Sequence, residues 1–258
     1  MSMRLNNKVA VITGAANGIG LAISQAFAKE NAIVIAGDID EGKCKTEVER
    51  LSNNGALARA IQCDVSITQD VERLINAAIN EFGRIDILVN NAAIAIKGNI
   101  MEMPEMDWDR LMNTNLKSIF RTIKASLPQM IKQKSGSVIN ISSTQAFRSW
   151  NDWTAYAGAK GAMISMTNQL AGQFGEFNVR FNSISPGAIL TPMNEKRAME
   201  EGPGFFLKSE AMHAMKRMGS PDEVAMTAVF LASDEAAFIT GEDIKVDGGL
   251  CTLPRYIE

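Results

Sequence analysis

Short runs rich in valine and isoleucine recur along the chain, and longer stretches with helical periodicity separate them. Strands that are apolar on both faces are typical of a parallel sheet covered by helices, which supply the crossover connections that parallel strands require. The alternation therefore predicts an α/β fold of the Rossmann type, a doubly wound parallel sheet with helices on both faces. Its seven predicted strands cover residues 9–13, 33–37, 58–62, 85–90, 137–142, 180–185 and 243–246.

Helical patterns between these strands begin near residues 18, 41, 68, 105, 153 and 221. No long flexible linker and no internal repeat interrupts them, so residues 1–258 are predicted to form a single domain. The segment 191–220 is different because it inserts Met-rich and Phe-rich sequence between the sixth strand and the last helix. Ligands bind beyond the carboxyl ends of the strands in such sheets, and we expect this insertion to form a substrate lid.

Charge and hydropathy exclude several classes of protein. Lys plus Arg number 26 against 29 Asp plus Glu, a net charge of −3 with no block of one sign, which predicts no nucleic-acid partner and no membrane-surface binding. No apolar run reaches the roughly 18 residues of a spanning helix, and residues 1–8 lack the apolar segment of a signal peptide. A cytoplasmic location is the resulting prediction.

The cysteine and histidine content gives no sign of a metal site. Cys44, Cys63 and Cys251 form no CxxC pair, and an odd number of cysteines does not indicate a disulfide framework. The only histidine is His213, which we expect at the surface rather than in catalysis. No metal is predicted.

A glycine-rich turn directly follows the first predicted strand and opens a helix. The sequence reads Thr-Gly-Ala-Ala-Asn-Gly-Ile-Gly from residue 13, which places glycines at 14, 18 and 20. Glycines in a tight turn also occur without any ligand. A strand before the turn and a helix after it favour a pyrophosphate site, where free N–H groups and the helix dipole stabilise the negative charge.

The spacing GxxxGxG differs from the commoner GxGxxG and resembles the opening of the short-chain dehydrogenase/reductases. Further motifs of that family follow in order and spacing from Lys8 to Gly249, so the resemblance covers nearly the whole chain. It implies hydride transfer between an alcohol carbon and a nicotinamide cofactor. The residues that it assigns to cofactor binding are Gly14, Asn17, Gly18, Ile19, Gly20, Asp38, Asp64, Val65, Asn91, Tyr156, Lys160, Pro186, Ile189 and Thr191.

Asp38 ends the second strand, about twenty residues after the glycines. A carboxylate at this position accepts hydrogen bonds from the ribose hydroxyls of NAD and repels the 2′-phosphate of NADP. The competing interpretation is that Asp38 caps the helix that starts near Asp40. Asn17 and Ile39 stand where NADP-preferring relatives often carry Arg or Lys, and the sequence therefore predicts NAD as the cofactor.

Tyr156 and Lys160 are spaced i to i+4, which places the phenol and the ammonium on one helix face. Tyrosine has an ordinary pKa of about 10, so it needs a nearby positive charge to act as a base at neutral pH. The resemblance makes Tyr156 the general base, and Lys160 the group that tunes it and binds the ribose. It also implies that Ser143 holds the reacting oxygen of the substrate, with Ser142 as the competing choice. Asn115, within a long helix after the fourth strand, is the residue that it implies for holding a water of the proton relay.

One position departs from the family pattern. After the fourth strand the chain reads Asn90-Asn91-Ala92-Ala93, where the family usually has glycine in the last place. Glycine permits closer approach of a ligand than alanine, because alanine adds a Cβ. We expect Asn90 to remain as the structural anchor and Ala93 to reshape the ribose side of the site slightly.

The loop before Tyr156 carries Gln145, Trp150 and Trp153, and together with Ser143 and Tyr156 these are the predicted substrate-binding residues. Aromatic walls beside a few polar groups suit a small polar secondary alcohol such as a sugar or polyol, oxidised to a ketone or lactone. The tryptophans pack equally well against the lid or a second subunit, which leaves that alternative open.

Two other functions compete with this hypothesis. One is a 3-oxoacyl-carrier-protein reductase, which the sequence disfavours because Phe177 stands near where those enzymes carry a basic residue for their acidic partner. The other is a catalytically idle cofactor-binding scaffold, which the intact set of Asn115, Ser143, Tyr156 and Lys160 disfavours.

Two helical segments, 160–173 and 221–232, carry more apolar residues than one buried stripe requires, among them Met163, Met226, Val229 and Leu231. Helices of this kind are buried on more than one side. The resemblance implies a homotetramer in which these helices pair with their symmetry mates, and the apolar residues 250–254 agree with a covered tail.

Overall fold

A computed structural model describes residues 3–252 and arranges seven strands in one sheet, all paired in parallel. The predicted fold class is confirmed, and strand ends differ from the prediction by at most two residues. The order across the sheet is β3-β2-β1-β4-β5-β6-β7. The strands are β1 (Val9–Thr13), β2 (Ile33–Asp38), β3 (Ala58–Gln62), β4 (Ile87–Asn90), β5 (Gly136–Ile141), β6 (Val179–Pro186) and β7 (Asp243–Val246).

All six predicted helices form, and within residues 3–252 three more accompany them. The helices are α1 (Gly18–Lys29), α2 (Glu41–Asn53), α3 (Thr68–Phe82), α4 (Glu105–Asn115), α5 (Lys117–Gln133), α6 (Thr154–Phe174), α7 (Pro192–Glu201), α8 (Phe205–Ala211) and α9 (Pro221–Ala232). Both α7 and α8 lie in the segment expected to form a lid.

The prediction of a single long helix after β4 is wrong. The structure has α4 and α5 instead, and they meet at Leu116, whose φ of −117° is not that of a regular helix. The side chain of Asn115 bonds to the backbone of Ile94 rather than projecting from a continuous helix. This contact accounts for the break, because it draws the end of α4 toward the loop after β4.

Two hydrophobic layers cover the two faces of the sheet. On one face α1, α2 and α9 pack around buried side chains that include Phe27 and Val229. On the other face α3, α5 and α6 pack around a second set that includes Leu74 and Phe181. Every residue of β1 is buried, as expected for a strand covered on both sides.

Most of the additional apolar side chains on α6 and α9 are buried within the chain itself. Met163, Val229 and Leu231 are buried in the core, whereas Met226 is 50% exposed. Of the apolar tail, Leu250 is buried, and Leu253 and Pro254 lie outside the described residues. The homotetramer stays a prediction that depends mainly on the family resemblance.

Candidate active site

A cleft of about 620 Å³ opens where the strand order reverses between β1 and β4, at the carboxyl ends of the strands. A doubly wound sheet binds its ligands at this point. Of the predicted site residues only Gly20 and Asn115 do not line it. Those that line it are Gly14, Asn17, Gly18, Ile19, Asp38, Asp64, Val65, Asn91, Ser143, Gln145, Trp150, Trp153, Tyr156, Lys160, Pro186, Ile189 and Thr191.

The turn between β1 and α1 has the backbone that its glycines require. Gly14 and Gly18 have φ of +65° and +54°, in the left-handed region that other residues rarely adopt. A Cβ on Gly20 would lie 2.0 Å from the carbonyl oxygen of Gly14, so Gly20 acts by close packing rather than by lining the cleft. The exposed Asn17 precedes α1, whose first-turn N–H groups are available to an anion.

Asn91 braces this turn from β4. Its side-chain amide donates to the carbonyl oxygens of Thr13 and Gly14, at 3.0 Å in each case. The cofactor role predicted for Asn91 thus includes holding the phosphate turn in place. Neighbouring Ala93 lines the same cleft, so its methyl group takes up space that the family's usual glycine leaves free.

Asp38 is buried, and its two oxygens accept backbone hydrogen bonds from Ala16 (2.8 Å) and Asp40 (3.0 Å). The cap of α2 is Asp40, which accepts from the N–H of Lys43, so the capping interpretation of Asp38 is wrong. Asp38 instead joins the end of β2 to the phosphate turn and presents a negative charge at the nucleotide end of the cleft.

Two further asparagines anchor the centre of the sheet. The Asn90 amide donates to Asn140 (2.8 Å) and accepts from the Thr122 hydroxyl (2.7 Å), while Asn140 donates to Thr167 (2.8 Å). Buried polar groups connected in this way fix the relative positions of the elements that carry them. The network joins β4, β5, α5 and α6 beneath the cleft, as expected for Asn90.

Ser143, Tyr156 and Lys160 meet on the floor of the cleft. The Ser143 side chain lies near the Tyr156 phenol and lowers its pKa. The Lys160 ammonium lies 5.6 Å from the Tyr156 ring centroid and donates to the carbonyl oxygen of Ile141 at 2.7 Å. The Ser142 hydroxyl donates to the backbone of Lys160 (2.9 Å), which favours Ser143 as the serine of the site.

Burial shifts the pKa values of both titratable groups in the direction that disfavours charge. Desolvation raises the pKa of Tyr156 to about 12, although the Ser143 hydrogen bond and the charge of Arg197 oppose the shift. Desolvation lowers the pKa of Lys160 to about 7. A bound positive charge next to Tyr156 would favour the phenolate, so the site is suited to an oxidised nicotinamide.

Asn115 is buried and does not itself line the cleft. Its Oδ1 accepts from the N–H of Ile94 (2.8 Å) and its Nδ2 donates to the Ile94 carbonyl oxygen (2.9 Å). Both ends of the amide therefore hold the loop after β4. The proton-relay role assigned by resemblance remains a prediction.

The loop after β6 faces the cleft with Pro186, Ile189 and Thr191. The Thr191 hydroxyl caps α7 by accepting from the N–H of Asn194 at 3.4 Å. The N–H of Ile189 has no hydrogen-bond partner within residues 3–252, which leaves a backbone donor for a carboxamide.

His213 is buried, so the expectation of a surface histidine is wrong. Its Nε2 accepts from the N–H of Ala188 (3.1 Å), and its Nδ1 donates to the carbonyl oxygen of Ser209 (2.6 Å). A Cβ on Gly187 would lie 2.6 Å from Nε2, and this close contact explains the glycine. His213 connects α8 to the loop after β6, a role for which the sequence carried no local signal.

The substrate end of the cleft is aromatic. Trp153 is buried and meets the Tyr156 ring edge-on at 5.6 Å, while Trp150 is half-buried on the same wall. Gln145 Oε1 is shielded from solvent and has no hydrogen-bond partner in the described part of the chain. The sequence did not single out Arg197, whose guanidinium carbon lies 4.6 Å from the Trp153 ring centroid.

Two kinds of site are absent from residues 3–252. This part of the chain contains no group of three or more His, Cys, Asp or Glu side chains placed to hold a metal ion. None of the helices in the same range is long and apolar enough to cross a membrane.

Comparison with known proteins gives a consistent result. A family model described as enoyl-(acyl carrier protein) reductase matches residues 14–251. The 3-oxoacyl-[acyl-carrier-protein] reductase of Thermotoga maritima is 38% identical over 248 residues, 96% of this chain and 99% of the relative.

Solved structures agree. A putative gluconate dehydrogenase from Agrobacterium tumefaciens superposes with a TM-score of 0.93 at 30% identity, over 98% of this chain and 100% of the other. The aldohexose dehydrogenase of Thermoplasma acidophilum gives a TM-score of 0.90 at 34% identity, over 100% and 99%. With the parallel sheet, the glycine turn and the Ser-Tyr-Lys cluster, these matches show that the chain belongs to the short-chain dehydrogenase/reductase family of oxidoreductases.

Proposed function

We propose that the protein is an NAD-dependent dehydrogenase of a small, polar secondary alcohol of the sugar or polyol type, which it converts to a ketone or lactone. The observation that carries the proposal is Gln145 Oε1, a shielded acceptor without a partner in the cleft. An unpaired buried acceptor is costly, and a second hydroxyl on the substrate would satisfy it. Gln145 follows Ser143 by two residues, and both line the same cleft.

The cleft has the features that a dinucleotide requires. Gly14, Gly18 and the start of α1 form an anion-binding turn, and the Asp38 carboxylate occupies the ribose end. Asp64 and Val65 line the adenine side, and Ile189 offers a free N–H at the nicotinamide side. Bound NAD supplies the hydride acceptor, and we attribute the preference for NAD over NADP to the Asp38 charge.

The remaining chemistry belongs to the side chains of the chain itself. Ser143 donates a hydrogen bond that orients the substrate oxygen, and Tyr156 removes the hydroxyl proton as general base. Lys160, when protonated, would lower the pKa of Tyr156 and would hold the nicotinamide ribose of bound NAD. Trp150 and Trp153 exclude water from this end of the cleft and provide flat apolar surfaces for a sugar-like ring or chain.

Relatives support a sugar-type substrate. Two of the similar structures are named an aldohexose dehydrogenase and a putative gluconate dehydrogenase, which are enzymes of carbohydrate-like alcohols. Their similarity extends over nearly the whole of both chains, including the segment that holds α7 and α8.

The test is a panel of sugars, polyols, hydroxy acids and simple secondary alcohols, each assayed at 340 nm with NAD and with NADP. We expect oxidation of at least one polyhydroxylated compound and a higher kcat/KM with NAD. Asp38→Asn should lower the NAD-to-NADP ratio by about 10-fold or more, because it removes the charge that repels the 2′-phosphate. A wild-type preference for NADP would refute the cofactor assignment.

The second candidate is a 3-oxoacyl-carrier-protein reductase, favoured by the name of the Thermotoga maritima relative. Against it, Phe177 packs toward Phe174 with ring centroids 6.4 Å apart and gives no basic surface for an acidic carrier. Lys132 and Lys134 are exposed and would have to replace that surface. Rapid reduction of acetoacetyl-carrier protein with NADPH, together with inactivity on all alcohols of the panel, would favour this candidate instead.

We also propose a cytoplasmic homotetramer that binds neither nucleic acid nor membrane. The half-exposed Met226 on α9 is one apolar side chain available for such an interface. Light scattering after size exclusion tests the assembly. A mass near that of one 28.0 kDa chain at micromolar concentration would contradict it.

A further inference from the structure

We propose that Arg197 binds an anionic group of the substrate, so that among polar secondary alcohols of the sugar or polyol type the preferred ones carry a carboxylate. The inference rests on the proposed function for the reacting alcohol, while the anion site is tested by binding as well as by turnover. It is carried by the position of Arg197, by its partner Glu201 and by the charges around them.

Arg197 lies on α7 and lines the cleft between two aromatic rings. Its guanidinium carbon is 4.6 Å from the ring centroid of Trp153 and 5.1 Å from that of Phe205. Stacking on aromatic faces is a geometry that arginine adopts when its fork of donors is held in place for recognition. Trp153 contacts both Arg197 and Tyr156, with its ring centroid 5.6 Å from that of Tyr156, so the cation lies one side chain away from the proposed general base.

A neighbouring pair on the same helix shows what an ordinary surface contact looks like. Lys196 and Glu200 lie 3.9 Å apart with side chains 79% and 62% exposed, and neither lines the cleft. Arg197 and Glu201 lie 2.9 Å apart with side chains only 22% and 36% exposed, and both line it. The two pairs have the same i to i+4 spacing, so burial in the cleft is what distinguishes the second pair.

The Glu201 carboxylate binds the Arg197 guanidinium, as we expect a substrate carboxylate to do. Both Nε (3.2 Å) and Nη2 (2.9 Å) of Arg197 donate to one oxygen, Glu201 Oε1. A free carboxylate offers two oxygens to the same fork, and bidentate pairing is the stronger geometry. Glu201 is the last residue of α7 and its side chain is partly exposed, so it can turn toward solvent.

The lid segment contributes more positive than negative charge to the cleft. Its charged lining residues are Arg197, Glu201 and Lys208, while the rest of the chain contributes Asp38, Asp64, Arg110 and Lys160. Once Glu201 turns away, the lid lines the cleft with two cations and no acid. A field of this sign concentrates an anion and disfavours a cation.

Matched pairs of compounds test the inference directly. Each pair has the same carbon skeleton with a carboxylate or a primary alcohol at the end: lactate and propane-1,2-diol, 3-hydroxybutyrate and butane-1,3-diol, gluconate and sorbitol. We expect at least one acid to have a KM about 10-fold below that of its neutral partner, because a charge-assisted pair is among the stronger hydrogen bonds. Tryptophan fluorescence of the NAD complex of the Tyr156→Phe variant, which lacks the general base, measures the binding of each compound without turnover.

Variants assign the effect to a residue. Arg197→Met should lower the acid-to-neutral ratio of kcat/KM by about 10- to 100-fold. Lys196→Met removes the same charge from the same helix outside the cleft and should leave the ratio unchanged. Glu201→Gln removes the competing carboxylate and should raise the ratio by about two- to fivefold. If Arg197→Met does not fold, Arg197→Lys replaces it, since lysine keeps the charge but loses the bidentate fork.

The outcomes separate this inference from the proposed function. Equal binding of acid and neutral partner in all three pairs overturns the anion site, as does an equal loss in Arg197→Met and Lys196→Met. Oxidation of neutral alcohols with rejection of every acid overturns the anion site alone. If no alcohol is oxidised with NAD or NADP, the proposed function fails, and the fluorescence titrations still decide whether Arg197 binds anions.

Discussion

The two sides of the cleft are built differently. On the nucleotide side, the ends of β1, β2 and β4 are buried and hydrogen-bond to one another through Asp38 and Asn91. On the lid side, α7 has no buried residue, and in α8 only Phe205 and Ser209 are buried. The nucleotide side is therefore a continuation of the core, whereas the lid is held by a few individual contacts.

Asn194, Arg197 and His213 make contacts of this kind. Asn194 donates to the carbonyl oxygen of Ile189 at 2.8 Å, Arg197 stacks on Trp153, and His213 joins Ser209 to Ala188. Apolar side chains of the lid remain exposed, since Met199 is 85% and Leu207 71% accessible. Segments with few buried contacts have low local stability, so we expect the lid to open while the nucleotide side stays folded.

The largest effect is expected at Tyr156, where the two sides meet. Tyr156→Phe removes the general base and should lower kcat by about 1,000-fold or more, within the range of general-base contributions. The phenyl ring keeps the contact with Trp153, so NAD binding and the melting temperature should change little. Stopped-flow turnover and NAD titration measure the two quantities, and an undiminished kcat would refute the role of Tyr156.

Gly20→Ala tests the rigid side. The new Cβ would lie 2.0 Å from the Gly14 carbonyl oxygen, and with core-like packing around it the turn has no room to adjust. We expect KM for NAD to rise by about 10- to 100-fold and the melting temperature to fall. Gly42→Ala on α2 is the control, because its Cβ would meet only Asp40 at 3.8 Å. A Gly20→Ala enzyme with wild-type NAD affinity would show that the nucleotide side is not rigid.

His213→Phe tests the attachment of the lid. Phenylalanine keeps an aromatic ring but leaves the N–H of Ala188 and the carbonyl oxygen of Ser209 without their partner. The loss should raise KM for NAD by about 10-fold and speed proteolysis within residues 191–212, without unfolding the sheet. Lys216→Met, which removes an exposed side chain of the same segment, should match the wild type in both assays. Proteolysis that is equally slow in His213→Phe would contradict an anchoring role.

The smallest effect is one of stability and concerns Lys160. Its pKa is about 7 in the folded chain against 10.5 when exposed, so between these values the unfolded chain binds a proton that the folded chain lacks. The free energy of unfolding of the wild type therefore rises with pH across this window, and the cost of the buried ammonium is complete below pH 7.

Lys160→Met removes that cost. We expect a melting temperature about 2–4 °C above the wild type at pH 6, a difference that shrinks as the pH approaches 10. Turnover should be lost at every pH, since the variant lacks the charge that tunes Tyr156. Thermal unfolding at pH 6, 7.5 and 9 measures the difference, and a constant value across this range would exclude titration of Lys160 as its cause.

The sequence was sufficient for the nucleotide side because the relevant signals are local. Apolar runs specify strands that are buried on both faces, and Gly14 and Gly18 specify a backbone with positive φ. The same reasoning failed at the α4–α5 break, where a side chain from one segment, Asn115, bonds to the backbone of another. Helical periodicity in the sequence does not predict such a contact.

What the sequence by itself determined is the parallel sheet, the phosphate-binding turn and the pairing of Tyr156 with Lys160 on one helix face. Only the tertiary structure decided that His213 is buried and that Arg197 stacks on Trp153 inside the cleft. The physical reason is the range of the interactions. Strand burial, glycine backbone and i to i+4 spacing act within a few residues, whereas His213 contacts Ala188 and Arg197 contacts Trp153, residues that are distant in the sequence and adjacent only in the folded chain.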